Sequence, residues 1–290
     1  MDSEQVAGSP GGSGASQGGG RRAGRRLDTV RAGEGREAMS GHFLDRWFTE
    51  RNADIGRHRL SLLAEVDGAR GEVMDELRQA VRGHYVAPAV AASWIADHGA
   101  PQTAELLREL LPTAKRARSG DLGEILATEV AEHYLDFDVP IRRLRWKDGR
   151  DMALRGDDIV GLSHRLDAKL RFLKGESKSR AELATAVLDE AGQALDRNKG
   201  RPTPHSVLFV ASCLRQQGED DLAREIEEAV LNGFRGRTIE HLVFVLTGSN
   251  PENLLTLHLE TCEDKQRRRH AVGLRIGDHS KFISELFEGL

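Results

Sequence analysis

Apolar positions repeat at helical spacing along most of the chain and at strand spacing in several short segments. The helical spacing predicts helices over residues 71–86, 88–98, 101–111, 119–135, 179–197, 204–217 and 220–234, with a last helix ending near 288. The strand spacing predicts strands over 58–66, 141–147, 151–162, 169–177, 241–247, 254–258 and 270–276. Asp148 and Gly149 predict a tight hairpin turn between the strands at 141–147 and 151–162. This order of elements is typical of an α/β fold.

The beginning of the chain differs in composition from the rest. Residues 1–36 are rich in Gly, Ser and Arg and hold few apolar side chains, so they cannot offset the entropy lost on ordering. We therefore expect a disordered leader over 1–36, an N-terminal α/β part over 37–118 and a second domain over 119–290.

Composition restricts the classes of function. No run of about 18 apolar residues is present, which excludes a transmembrane helix, and two isolated cysteines favour a reducing cytoplasm. The net charge of −4 means that nucleic-acid binding would need local basic clusters, although a solvated face is the simpler interpretation of each cluster. These clusters are Arg142, Arg143, Arg145, Lys147 and Arg150; Arg171, Lys174, Lys178 and Arg180; and Lys265 with Arg267 to Arg269.

Two acidic residues interrupt the apolar faces of neighbouring predicted strands. Asp158 shares a face with Val160 and Leu162, and Glu176 stands in the next strand with Lys178 two residues on. If these strands pair antiparallel around a turn at 163–168, Asp158 and Glu176 lie nearly opposite, with Cβ atoms about 5 Å apart. A simpler alternative places Asp158 in a turn and Glu176 with Lys178 in an exposed pair.

Two carboxylates at that separation repel each other unless a cation lies between them, so the arrangement predicts a Mg²⁺ site that could also take Mn²⁺. The carbonyl of Ser177 is a further candidate ligand. Lys178 lies within reach of a water at the metal, and it could neutralise charge on a phosphoryl group. Hydrolysis of a phosphodiester is the predicted chemistry.

The same residues carry a resemblance to a known family. The segment Gly156 to Gly161 and the triplet Glu176-Ser177-Lys178 resemble the PD-(D/E)xK active site of restriction-like endonucleases, although Asp157 stands where that pattern has proline. The stretches GDLGEIL, LRGDDIVGL and LRFLKGESKSR look similar to the nuclease subunit of Hachiman anti-phage defence systems, over about residues 118–215.

The resemblance implies an α/β restriction-endonuclease-like core, a mixed sheet flanked by helices, with a helical N-terminal part and the nuclease domain at 119–290. It further implies Mg²⁺-dependent DNA cleavage in the cytoplasm, with Asp158 and Glu176 as metal ligands and Lys178 as the catalytic lysine. A separate helicase subunit would restrain the nuclease until infection, and no membrane partner is expected.

A glutamate from the preceding helix often completes this type of site, and the sequence offers two choices. The family's GxxxE pattern matches Gly120 to Glu124, which makes Glu124 a catalytic candidate. Helical geometry instead places Glu129 in the middle of the apolar stripe, where it would need a partner such as His133. Both glutamates stay open at this point.

Other functions also remain open. A non-catalytic subunit that binds DNA or a partner on a nuclease-like fold would keep the same architecture, and RNA is an alternative substrate. If DNA is bound, Arg142, Arg143, Arg145, Lys174 and Arg180 are the predicted phosphate contacts near the cleft.

Overall fold

The residues described in this computed structural model, 41–164, 169–264 and 266–290, fold around a mixed six-stranded sheet. The strand order is β1-β2-β6-β5-β4-β3. The inner strands β2, β6, β5 and β4 run parallel, and β1 and β3 pair antiparallel at the two edges. The strands are β1 Phe48–Ile55, β2 His58–Glu65, β3 Ile159–Ser163, β4 Arg171–Arg180, β5 Ile239–Thr247 and β6 Arg269–Arg275.

Helices connect the strands and cover both faces of the sheet. The α-helices are α1 Phe43–Trp47, α2 Ala69–Tyr85, α3 Pro88–His98, α4 Ala100–Leu110, α5 Lys115–Tyr134, α6 Thr185–Asp196, α7 Pro204–Gln216, α8 Asp220–Leu231, α9 Glu252–Glu260 and α10 His279–Glu288. Short 3₁₀ helices occur at Arg143–Trp146 and Arg197–Gly200. Within the described part of the chain, none of these helices is both long and apolar enough to cross a membrane.

The central strand β5 shows why the sheet is covered on both sides. Every residue of β5 is buried. Leu242 and Phe244 pack in the core cluster that includes α2, α5 and α10, whereas Val243 and Val245 pack in the cluster of α6 and α9. A third cluster joins α7 and α8 to β3 and the start of β4. A parallel strand buried on both faces reads as a continuous apolar run, which is the pattern of β5.

The predicted fold class is confirmed: a mixed sheet is flanked by helices, and helices dominate the segment before β3. Strands from both sides of residue 118 lie in one sheet, so the sheet itself shows no break there, and the domain boundary stays a prediction. The predicted leader at 1–36 and residues 165–168 of the predicted turn lie outside the described residues.

Four local predictions were wrong. Residues 141–147 form a 3₁₀ turn instead of a strand, and the hairpin predicted at Asp148 and Gly149 is missing because no strand flanks it. The segment 151–162 is a strand only from Ile159 onward. Residues 254–258 lie inside α9, and β1, which has an almost entirely exposed sequence, was not predicted.

Candidate active site

The pairing of β3 with β4 sets the position of the two predicted acidic residues. Ile159 lies opposite Gly175, so the next rung places Asp158 opposite Glu176, in the register expected from the sequence. Asp158 comes directly before β3, and its Oδ2 accepts a hydrogen bond of 2.9 Å from the backbone N–H of Ser177. The structure therefore brings these acidic residues to the same end of the strand pair.

Close packing between α5 and β4 brings the helical carboxylate into the same region. A Cβ atom on Gly123 would lie 2.8 Å from Ser177 Oγ, so only glycine allows the helix this close to the strand. The next residue, Glu124, then lies beside Asp158, whose charge contributes to raising the pKa of Glu124. The larger contribution comes from the burial of Glu124.

Burial and repulsion both oppose ionisation at this position. Burial, and after it the charge of Glu176, raises the pKa of Asp158 to about 7, against the opposing effects of the Ser177 N–H, Arg143 and Lys178. Among the described residues, no donor contacts the Glu124 carboxylate or the second oxygen of Asp158. These carboxylates therefore keep unused lone pairs in a partly desolvated place, where a cation would stabilise their ionised forms.

Lys178 is held at the same site by Glu176. Its Nζ donates to Glu176 Oε1 at 2.8 Å, and the two side chains are only 19% and 14% exposed. The carboxylates of Glu124, Asp158 and Glu176 do not all bring one oxygen within 4.8 Å of the others. A shared cation would therefore require at least one of these side chains to move.

The loop before Asp158 is fixed by buried polar contacts. Asp157 Oδ2 accepts hydrogen bonds from the N–H and the hydroxyl of Thr203 at the start of α7, at 2.6 and 3.1 Å. The Arg143 guanidinium donates to the carbonyls of Asp157 and Arg155. Gly156 has φ +104°, and a Cβ there would collide with Ser206 Oγ. Asp158 is thus carried on a rigid support, which periodicity alone could not reveal.

Glu129, the rival helical candidate, lies in a different cluster. Its carboxylate contacts His84 Nε2 at 3.2 Å and His42 Nε2 at 3.6 Å, and the two histidines help to hold its pKa at about 2 against the effect of burial. The expected partner His133 instead contacts Asp45, at 2.8 Å. Glu129 is partly buried and has its own partners, so Glu124 is the glutamate that joins Asp158.

Most of the basic residues predicted to contact phosphate are engaged inside the protein, which corrects that expectation. Arg142 pairs with Glu132, and Arg145 donates to the carbonyl of Gly83. Lys174 is 1% exposed, donates to the carbonyls of Leu195 and Arg197, and lies 3.6 Å from Asp157. Arg143 is also buried, so Arg145 and Arg180 are the exposed residues among the five candidates.

One further cluster has the composition of a metal site. Asp196, His241 and Asp264 bring ligand atoms within 4.8 Å of one another. Arginines already occupy this cluster, however, because Arg269 donates to Asp196 at 2.7 Å and Arg267 to Asp264 at 2.6 Å. We assign this cluster to the packing of α6 against the start of β6 rather than to a metal.

Comparison with known proteins gives two findings. A family model described as HamA matches residues 41–290. A curated relative, the Hachiman protein HamA of Bacillus cereus, is 28% identical over 118 residues. That match spans 40% of this chain and 41% of the relative, so less than half of either protein is compared directly.

Proposed function

The chain belongs to the HamA family, and we propose that it is a Mg²⁺-dependent deoxyribonuclease of the PD-(D/E)xK type that hydrolyses DNA phosphodiesters. The observation that carries the proposal is the convergence of Asp158, Glu176 and Lys178 at one end of the β3–β4 pair, with Glu124 beside them. Unused carboxylate lone pairs next to an ammonium group are the parts that metal-assisted phosphoryl chemistry requires.

The donor set fits a hard divalent cation. Asp158 and Glu176 would hold the metal through carboxylate oxygens, which are the ligands that Mg²⁺ prefers. The N–H and C=O of a strand residue point to the same side, so the Ser177 carbonyl faces the same edge of β4 as the N–H that donates to Asp158, and it would be a further ligand. Glu124 would bind a water of the metal or complete the set.

The chain's own groups would share the chemistry as follows. When bound, the metal polarises the phosphate and lowers the pKa of a nearby water. Lys178, released from Glu176 as that carboxylate turns to the cation, would donate to a phosphoryl oxygen and stabilise the negative charge that grows there. The partial burial of the site strengthens both interactions.

Plasmid cleavage tests this proposal. With Mg²⁺ or Mn²⁺, the wild-type protein should degrade plasmid DNA, and EDTA should stop the reaction. Glu176→Gln and Lys178→Met should each lower the rate at least 100-fold while keeping the melting temperature near wild type. Glu227→Gln, which removes half of a surface ion pair on α8, serves as the matched control and should cleave normally.

Two results would contradict a nuclease. Cleavage by Glu176→Gln at the wild-type rate would place the activity elsewhere. Complete inactivity of the wild type towards DNA, together with retained DNA or partner binding, would favour the non-catalytic subunit instead. RNA offered in the same assay separates the two substrates.

We further propose that the protein acts in anti-phage defence together with a separate helicase subunit. The support is the family membership and the relative named as a Hachiman protein. Co-expression with the neighbouring helicase should recover both chains in one complex and protect cells from phage, and Glu176→Gln should abolish protection without dissolving the complex.

A further inference from the structure

A positively charged cavity lies between the first turns of α5 and α10. Its volume is about 310 Å³. The polar residues at its wall come from the beginnings of these two helices, and none of its described lining residues is acidic. They include Lys115, Arg118 and Ser119 from α5 and His279, Ser280 and Lys281 from α10. The cavity therefore has the charge and the size to accept a small anionic group.

Both helices begin at this cavity without a side-chain cap. Neither Ala114, before α5, nor Asp278, before α10, makes a capping hydrogen bond to its helix. The charge of Asp278 instead contributes to raising the pKa of Arg70. The first N–H groups of an α-helix lack partners within the helix and carry the positive end of its dipole, so two uncapped helix starts together favour an anion.

A buried histidine supplies an independent sign of a missing acceptor. Ser119 donates its hydroxyl to Ser179 Oγ at 2.8 Å, and Ser179 Oγ also lies 2.9 Å from His279 Nε2. In the tautomer in which Nε2 accepts from the Ser179 hydroxyl, Nδ1 carries the hydrogen. Nδ1 has no partner among the described residues, although His279 is only 5% exposed and lines the cavity. A buried N–H without an acceptor is costly, and an anion's oxygen would satisfy it.

The cavity shares two elements, α5 and β4, with the candidate active site. Ser179 follows Lys178 directly in β4, so its side chain lies on the opposite face of the strand from those of Glu176 and Lys178. Ser119 precedes Glu124 in α5 by five residues, which is about 7.5 Å along the helix axis.

We propose that this cavity binds a backbone phosphate of the nucleic-acid substrate. The inference rests on the proposed function, since it assigns a subsite to that substrate. Lys115 and Lys281 supply charge, and His279 Nδ1 and the first N–H groups of α5 and α10 donate hydrogen bonds. Both lysines are exposed, and Lys281 makes only a loose contact of 3.7 Å with Glu285.

DNA binding without cleavage tests the subsite. The parent protein is the full chain carrying Glu176→Gln, and the probe is a fluorescein-labelled DNA duplex followed by anisotropy at several salt concentrations. Adding Lys115→Gln and Lys281→Gln should weaken binding about tenfold at low salt. It should also make the slope of log affinity against log salt shallower by about one, because one phosphate contact is lost. His279→Phe, which removes the N–H, should also weaken binding.

The control is Arg224→Gln, on α8 at the other face of the sheet, which should leave affinity and slope unchanged. Melting curves for each variant exclude unfolding as the cause. Unchanged affinity and slope in the double lysine variant would overturn the subsite, as would failure of the parent to bind DNA at low salt. Displacement of DNA by inorganic phosphate at micromolar concentration would also overturn it, since the ligand would then be a free anion.

Wild-type cleavage, measured in parallel, separates this inference from the proposed function. Cleavage by the wild type with unchanged DNA binding in the double variant refutes the subsite alone. Loss of DNA binding in the double variant, with a wild type that never cleaves, supports phosphate binding in the cavity, but it refutes the nuclease and with it the assignment of that phosphate to a substrate.

Discussion

At the residue scale, the buried lysine beside the candidate site acts as a support. Lys174 forms two hydrogen bonds to carbonyls at the end of α6 and faces the carboxylate of Asp157 at 3.6 Å. Burial lowers its pKa, yet Asp157 opposes that effect. Removing one member of such a buried pair leaves the other charge uncompensated, which is more damaging than losing both.

Lys174→Met should therefore reduce the free energy of unfolding by about 3 kcal/mol, because it leaves Asp157 without its counter-charge and two buried carbonyls without their hydrogen-bond donor. Urea denaturation measures this loss. Combining Lys174→Met with Asp157→Asn should recover part of the lost stability. Lys199→Met, on an exposed side chain, is the matched control and should change stability by less than about 0.5 kcal/mol. Equal losses in the two lysine variants would contradict the buried role.

Single residues also show what the sequence could predict. Asp158 and Glu176 were placed opposite each other because strand pairing follows simple register arithmetic, and the structure has that register. The choice of Glu124 over Glu129 needed the family pattern. The partners of Glu129, His42 and His84, lie 87 and 45 residues earlier in the chain, so no local pattern reveals them.

At the element scale, the contact between α5 and β4 depends on one glycine. Within a helix, replacing Gly by Ala normally stabilises by about 0.5–1 kcal/mol. At Gly123, the new methyl group would meet Ser177 Oγ at 2.8 Å and Ser179 Cβ at 3.4 Å. Overpacking of this kind costs about 1–3 kcal/mol, which exceeds the gain in helix propensity.

Gly123→Ala should thus destabilise the protein by about 1–2 kcal/mol, and it should lower any nuclease activity because Glu124 moves with the helix. Gly120→Ala lies in the same helix with no atom within 4 Å of the added Cβ, so it should stabilise by about 0.5–1 kcal/mol. Thermal unfolding of the two variants gives opposite signs if the close approach is real, and the same sign if it is not.

Elements were predictable where burial follows a period, and they were missed where it does not. The helices and the inner strands have strong apolar patterns, and most were predicted within a few residues of their observed bounds. β1 is not predicted from the sequence because an edge strand with exposed residues has no apolar alternation. Residues 141–147 have the sequence pattern of a strand but form a 3₁₀ turn. The charge of Arg143 predicts exposure, yet this side chain is buried and donates to backbone carbonyls, a contact that the pattern does not reveal.

At the scale of the whole molecule, buried ionisable groups make the free energy of unfolding depend on pH, and their contributions have opposite signs. The raised pKa of Asp158 means that the folded protein holds this proton more tightly than the unfolded chain, so acid favours the fold through this group. Burial lowers the pKa of His241 to about 4, and the unfolded chain then binds the proton more tightly. Acid therefore disfavours the fold through His241.

The environment of His241 explains why it stays neutral. Its Nε2 lies 2.8 Å from the Gly200 carbonyl, which only accepts, so Nε2 carries the hydrogen. Nδ1 lies 3.4 Å from Nη2 of Arg269 and accepts from that guanidinium. Protonating Nδ1 would replace this hydrogen bond with repulsion between two cations inside the core.

Because the opposing groups obscure each other in the wild type, the test compares variants. Glutamine can both donate to Gly200 and accept from Arg269, but it does not titrate, so His241→Gln keeps the contacts and removes the pH response. With a pKa of about 4 in the folded state and an ordinary value unfolded, His241 should cost the wild type about 2 kcal/mol between pH 7 and pH 5. Urea denaturation at both pH values should show His241→Gln more resistant to acid by that amount. His205→Gln, on an exposed histidine of α7, is the control and should lose as much stability between pH 7 and pH 5 as the wild type. If His241→Gln also loses as much stability as the wild type, His241 is not the group that titrates.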